Sequence, residues 1–405
     1  MTDNIIFNLS KKSNGECPYP KQLVVESLDQ VDSSIWSNPN SKVYNPCCGS
    51  GTFIIDAYNR FMKGLEYIIP NEESRKKHIL QNCLYATDIK YKFIAHTINI
   101  LDFERKYINL EHFLCEDALT YDWFVDFDVV MACPSHTVVS GTGNSVWRIH
   151  YKSYLKMVKT NGYLIINLPP KWRSPHVLDK GKRKLVKSTI FKDLKHTQIV
   201  FIRMINESSG YNHVRSDSIV VKKSKRNTTT KIVDINNKEY NISLDGYEWL
   251  PNSMIDEIKT FIANDPNNLI DIRHKFEAEP RGADIKKQKE KTDTHQYPCI
   301  NSIKQDGSLV LFYSKNPNLT MLSLPKVVLS HSGNCYAYND YEKQYGVTHH
   351  GYSVIVKTNE EAEKICNFVK SDYFKKLSEA CRWSTKQAGI VDALYFFDKK
   401  IYESY

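Results

Sequence analysis

The sequence predicts an α/β chain: a Rossmann-like, mostly parallel sheet closed by an antiparallel hairpin, then a smaller α+β domain. Three observations carry this expectation. A short strand at 41–44 runs into a glycine turn and then into a helix with apolar residues at helical spacing, 52–58. Apolar strand-like runs at 84–88 and 126–131 alternate with helical patterns, as in βαβ units. Runs at 199–202 and 218–221 fit a hairpin that closes the sheet.

The chain has 405 residues, which suits two domains: 1–230 and 231–405, joined by a polar, basic, Thr-rich stretch at 222–231. Hydrophobic residues make up 41% and aromatics 12%, enough for a core. A formal charge of +9 suits an anionic partner without requiring one. Ten cysteines occur with no C-x-x-C pair, so neither a zinc ribbon nor a disulfide framework is expected, and no metal. A reducing, cytoplasmic setting is the simple expectation. Residues 1–7 lack the basic and apolar regions of a signal peptide, and no apolar run reaches the length of a membrane span.

The most informative stretch is 43–53, Val-Tyr-Asn-Pro-Cys-Cys-Gly-Ser-Gly-Thr-Phe. Gly49 and Gly51 let backbone approach a ligand closely, and the helix behind them offers unpaired N–H groups. A turn at the carboxyl end of a strand is where open α/β sheets bind nucleotides. The spacing is neither G-x-G-x-x-G nor a phosphate loop.

Residues 45–53 resemble the first motif of the amino-group DNA methyltransferases, D-P-A-C-G-S-G-T-F, and depart from it at Asn45 and Cys47. The resemblance implies S-adenosylmethionine (SAM) bound across Asn45, Pro46, Cys47, Gly49, Ser50, Gly51, Thr52 and Phe53. In the same family a T-P pair opens the preceding helix and touches the methionine end of the cofactor; Tyr19-Pro20 stands there. Residues 86–89 resemble G-x-D-I, which puts Asp88 on the ribose hydroxyls and Ile89 against the adenine. A plain helix cap is the other role open to Asp88. Residues 113–119 resemble G-D-x-L, which places Asp117 and Ala118 beside the adenine, with Asp117 bonding its amine. An ordinary loop acid is the alternative. Residues 126–131 resemble F-D-V-V-I, and 154–169 resemble L-K-x-G-G-x-x-x-x-I-x-P.

The active-site phrase of the family is G-[ND]-P-P-[YF]. Here it reads Ala132-Cys133-Pro134-Ser135-His136. In the family the Asn or Asp and a backbone carbonyl accept hydrogen bonds from the target amine, and the aromatic stacks on the flipped base. Cys133 brings only a weak acceptor. His136 is planar and can stack; Ser135 loses the second proline. Cytosine C5 enzymes use a cysteine nucleophile in the equivalent loop, but in the order Pro-Cys.

Motif order resembles the γ-type adenine-specific DNA methyltransferases, of the type IIG and type I modification-subunit kind. Residues 300–405 resemble, more loosely, a target-recognition region. The implied function is methyl transfer to the amine of a flipped adenine in double-stranded DNA. A non-catalytic SAM- or DNA-binding module, or a methyltransferase for another nucleic acid, stays open, as does a protein partner or homodimer. No membrane partner is expected. The basic residues Lys180, Lys182, Arg183, Lys184 and Lys187 form either a solvated face or a phosphate track.

Overall fold

Nine strands form one sheet, and its order fixes where a ligand can bind. The computed structural model describes residues 19–134, 147–177, 185–186, 189–194, 197–206, 215–224, 229–274, 289–330, 335–383 and 389–405. β1 (Val43–Asn45) is central. β2 (Leu84–Thr87) and then β3 (Phe113–Leu114) lie on one side of it; β4 (Phe127–Ala132) and β5 (Val158–Leu168) lie on the other, all parallel. β6 (Gln198–Ile205) and β7 (Ser216–Lys222) form the expected hairpin, with β7 inserted antiparallel between β5 and β6. The order reverses at β1, so the carboxyl ends of β1 and β4 flank the topological switch point.

β8 (Thr230–Val233) pairs parallel with β6, and β9 (Glu239–Ile242) pairs antiparallel with β8. The division expected at 230/231 therefore moves, because these two strands complete the first sheet. The chain divides into Met1–Trp172 with Ile190–Gly246, and Arg173–Thr189 with Tyr247–Tyr405.

In the first unit, α1 (Lys21–Leu28) precedes β1. α2 (Thr52–Gly64) buries Phe53, Ile54, Ala57 and Phe61, one stripe at helical spacing. α3 (Glu72–Asn82) is capped by the Asn71 side chain, which accepts from Ser74 N at 2.8 Å. The sequence suggests a solvated helix here, yet Arg75 is buried and donates to the carbonyls of Ile69 and Pro70. α4 (Tyr91–Leu101) buries Phe93, Ile94, Thr97, Ile98 and Leu101, the face expected. α5 (Trp147–Met157) is shorter than the sequence suggests. Val158 already pairs with Phe127, so β5 begins before the turn at Asn161 and Gly162. A Cβ on Gly162 would sit 2.7 Å from the Asp128 carbonyl, which explains the glycine.

The second unit has a four-stranded sheet and a three-stranded sheet. β10 (Ile272–Arg273), β11 (Tyr297–Ile303), β12 (Leu309–Ser314), β13 (Lys326–Ser330), β14 (Ala337–Asp340), β15 (Gly346–Val347) and β16 (Gly351–Ile355) supply them. Helices Asn359–Lys370 and Asp372–Ala380 are capped by Thr358 and Ser371. Lys326 and Asp340, both fully buried, pair at 2.5 Å across β13 and β14. Arg173, also buried, donates to Leu250 O, Pro251 O and Asn252 Oδ1 at 2.9–3.0 Å. Among the described residues, no helix is long and apolar enough to cross a membrane.

Candidate functional site

β1 ends at Asn45, and the chain then turns through Pro46 to Gly51. Gly49 (φ 51°) and Gly51 (φ 79°) both adopt the left-handed conformation. Gly51 packs tightly: a Cβ there would lie 2.7 Å from Thr97 Oγ1. Gly49 is the opposite case, since a Cβ there would meet nothing within 4 Å. One glycine is needed for packing; the other leaves space over the turn. α2 starts at Thr52 with Gly51 as its N-cap and no side-chain cap, so its first N–H groups are not taken up by a capping side chain.

The turn is tied to the end of β2. Cys48 N donates to Thr87 O at 3.0 Å, and Thr87 Oγ1 donates to Pro46 O at 3.1 Å. Asp88, 9% exposed, accepts from Gly49 N through Oδ2 and from Lys90 N through Oδ1, each at 2.9 Å. The cap-like bond to Lys90 and the bond to the glycine turn thus coexist on one carboxylate. Ile89, next in the chain, is 69% exposed. Asp117 is exposed, and its Oδ1 accepts from Leu119 N at 2.9 Å; Ala118 beside it is buried.

Asn45 is 1% exposed, and neither atom of its amide has a hydrogen-bond partner among the described residues. Buried amides are normally satisfied, so this pair is conspicuous. Tyr19 is buried and stacks on Phe53, with ring centroids 5.3 Å apart. Burial pushes its hydroxyl well above the ordinary tyrosine range, with the nearby Cys133 adding to the rise. Ser50 Oγ and Thr52 Oγ1 bond each other at 3.1 Å. Burial likewise raises the Cys47 thiol, with Cys133 and Asp88 contributing, and the Cys133 backbone amide bonds to that thiol. The Tyr154 hydroxyl, from α5, bonds the same thiol and His150 Nδ1 at 2.8 Å.

Cys133 and Pro134 follow directly on β4, and Cys133 packs against the core of this unit. Ser135 and His136 lie outside the described residues, as does the basic cluster Lys180, Lys182, Arg183, Lys184 and Lys187. A residue that sequence reasoning passed over stands beside Cys133. Ala132 pairs with Ile166, so the next positions on the two strands are Cys133 and Asn167. Asn167 is 1% exposed; its Nδ2 donates to Ser216 Oγ at 3.3 Å, and its Oδ1 has no hydrogen-bond partner among the described residues. The signal in the sequence was one polar residue inside the apolar run 163–168. Among the described residues, no group of three or more His, Cys, Asp or Glu is placed to hold a metal.

The five parallel strands in order 3-2-1-4-5, with an antiparallel strand inserted after the fifth, decide the architecture. The fold is that of the class I SAM-dependent methyltransferases. No family model matches the chain. Over 87 residues the chain is 42% identical to an uncharacterized adenine-specific methylase of Mycoplasma pneumoniae. That match covers 21% of the chain and 21% of the relative, so the chain spans about a fifth of the relative's length. Among solved structures it is similar to a type I restriction-modification methyltransferase subunit from Streptococcus thermophilus, with 14% identity and a TM-score of 0.41, covering 61% of this chain and 54% of that one. It is also similar to the type ISP restriction-modification enzyme LlaBIII bound to DNA, with 9% identity and a TM-score of 0.49, covering 86% and 34%. The type IIL enzyme MmeI in complex with DNA gives 10% identity and a TM-score of 0.46, covering 90% and 63%.

Proposed function

We propose that this chain is a SAM-dependent DNA methyltransferase that modifies the exocyclic amine of a flipped adenine. The observation that carries the proposal is the turn at the end of β1: a Cβ on Gly49 would meet nothing within 4 Å, the Gly49 amide is held by Asp88, and the amide of Asn45 has no hydrogen-bond partner among the described residues. These residues fit the cofactor. Asp88 places a carboxylate at the turn for ribose hydroxyls, exposed Ile89 offers an apolar face to adenine, and Asp117 can accept from its amine. Pro46, Cys47, Ser50, Gly51 and Thr52 shape the turn; Phe53 and Tyr19 support it from the core. When bound, SAM supplies an electrophilic methyl group on a sulfonium.

Cys133 and Pro134, with Ser135 and His136 after them in sequence, form the phrase that receives the target base. The partner is duplex DNA, consistent with the charge of +9 and with the similarity to an adenine-specific methylase. The second unit recognises the target sequence in this reading, and the protein works in the cytoplasm. The test is calorimetry with SAM, then mass spectrometry of nucleosides from DNA incubated with both. N6-methyladenine is the expected product. Methylated cytosine, or no product from a protein that binds SAM and DNA, overturns the reading.

A further inference from the structure

We infer that Asn167 supplies the hydrogen-bond acceptor for the target amine that Cys133 does not. This rests on the functional reading above. The family phrase has an acidic or amide residue at the position of Cys133, and an isoleucine at the position of Asn167. Here the two chemical characters are exchanged between neighbouring strands.

The geometry supports the exchange. β4 and β5 run parallel, and their last registered pair is Ala132 with Ile166, so Cys133, just past the end of β4, follows beside Asn167, which is still in β5 and pairs with Ser218 of β7. Side chains alternate along a strand, and Met131 and Ile165 both lie in the core on one face of this sheet. Cys133 and Asn167, two residues on from each, project to that same face. Cys133 packs against the same core.

One atom of the Asn167 amide has no hydrogen bond among the described residues. Nδ2 is spent on Ser216 Oγ, which leaves Oδ1 as the atom without a hydrogen bond. The side chains of Asn167 and Ser218 also hydrogen-bond the Tyr19 hydroxyl. A buried amide oxygen without a partner is unfavourable in the empty protein, and it becomes favourable when a donor arrives. The amine of an extruded base is such a donor. In the transfer, the amine lone pair forms the new bond to the methyl carbon. The methyl–sulfur bond breaks with its electron pair going to sulfur, and the amine loses a proton to solvent. Asn167 takes no proton; it holds an N–H so that the lone pair faces the methyl group.

The test compares wild type, Asn167→Ile, Asn167→Asp and the double variant Asn167→Ile with Cys133→Asn, each assayed for N6-methyladenine in DNA and for SAM affinity by calorimetry. Asn167→Ile is expected to lose methylation roughly 10²- to 10³-fold, the effect of removing one positioned polar group, with SAM affinity unchanged. Asn167→Asp retains an acceptor and keeps activity within about tenfold, the equivalent of 1.4 kcal/mol. The double variant regains activity, because the acceptor returns on the neighbouring strand. Full methylation by Asn167→Ile overturns the role of Asn167 and leaves the functional reading standing. So does a loss of SAM affinity that parallels the loss of activity, since it would place Asn167 on the cofactor. A wild type that binds SAM and methylates nothing overturns the functional reading and this role with it.

Discussion

The backbone amide of Gly49 donates to Asp88 Oδ2 at 2.9 Å, joining the turn after β1 to the end of β2. A carboxylate read from the sequence as a ligand contact is therefore also the clamp on the turn. Removing it should act twice. Asp88→Ala leaves two amides, Gly49 and Lys90, without their acceptor. Hydrogen bonds to charged groups contribute about 1.5–3 kcal/mol each. SAM affinity should fall roughly 10- to 100-fold or more, measured by calorimetry, while Asp88→Asn, which keeps one oxygen, should fall less.

The two glycines of the turn should respond differently. Gly51→Ala meets Thr97 Oγ1 in addition to its left-handed backbone, and should destabilise the protein by about 1–3 kcal/mol. Gly49→Ala meets nothing, so only the backbone term of about 1–2 kcal/mol remains. Its methyl group, however, enters the space over the turn. Denaturant midpoints should drop further for Gly51→Ala, whereas calorimetry should show SAM binding impaired in Gly49→Ala even at temperatures where that variant is fully folded.

His112 makes stability depend on pH. Its ring stacks on Tyr85 at 3.8 Å, and burial, helped by the charge of Lys42, lowers its pKa from 6.5 to about 4. The folded state thus prefers neutral imidazole. The stabilisation is complete above 6.5 and is lost as pH falls toward 4, because the unfolded chain binds the proton first. Wild type should lose stability between pH 7 and pH 5. His112→Phe, which keeps the stacking, should lose less over the same interval. Equal slopes in urea titrations of the two proteins would rule out His112 as the source.

Lys326 and Asp340 pair out of water across β13 and β14. Burial lowers the lysine's pKa, and its bond to Asp340 works against that drop. Lys326→Ala strands the carboxylate, although Gln344 N still donates to it at 2.8 Å. Breaking one side of a buried pair costs about 3–5 kcal/mol, so chemical denaturation should show a correspondingly lower midpoint. Replacing both residues with apolar ones of similar volume should recover most of the difference.

Much of this architecture could be read from local signals. The glycine turn, the acid after β2 and the hairpin of β6 and β7 each announce themselves within a few residues, because backbone conformation and hydrophobic period are local properties. The misjudged features depend on partners distant in sequence. β5 starts early because Val158 finds Phe127. β8 was taken for the edge of a linker until β6 claimed it. Asn167 is the sharpest instance: its meaning lies in the register between β4 and β5, which no window along the chain displays.

The chain passes between its two units three times, at 172/173, 189/190 and 246/247. Arg173, fastened to Leu250, Pro251 and Asn252, marks the first of these passages. A stop codon after Gly246 therefore yields the first unit only with the 173–189 segment still attached, and no single junction yields the second unit whole. Recombination that exchanges the second unit between related genes would have to carry a short internal insert together with the carboxyl-terminal block. Exchange of the second unit needs a junction at each of the three passages, whereas point substitution within it needs none.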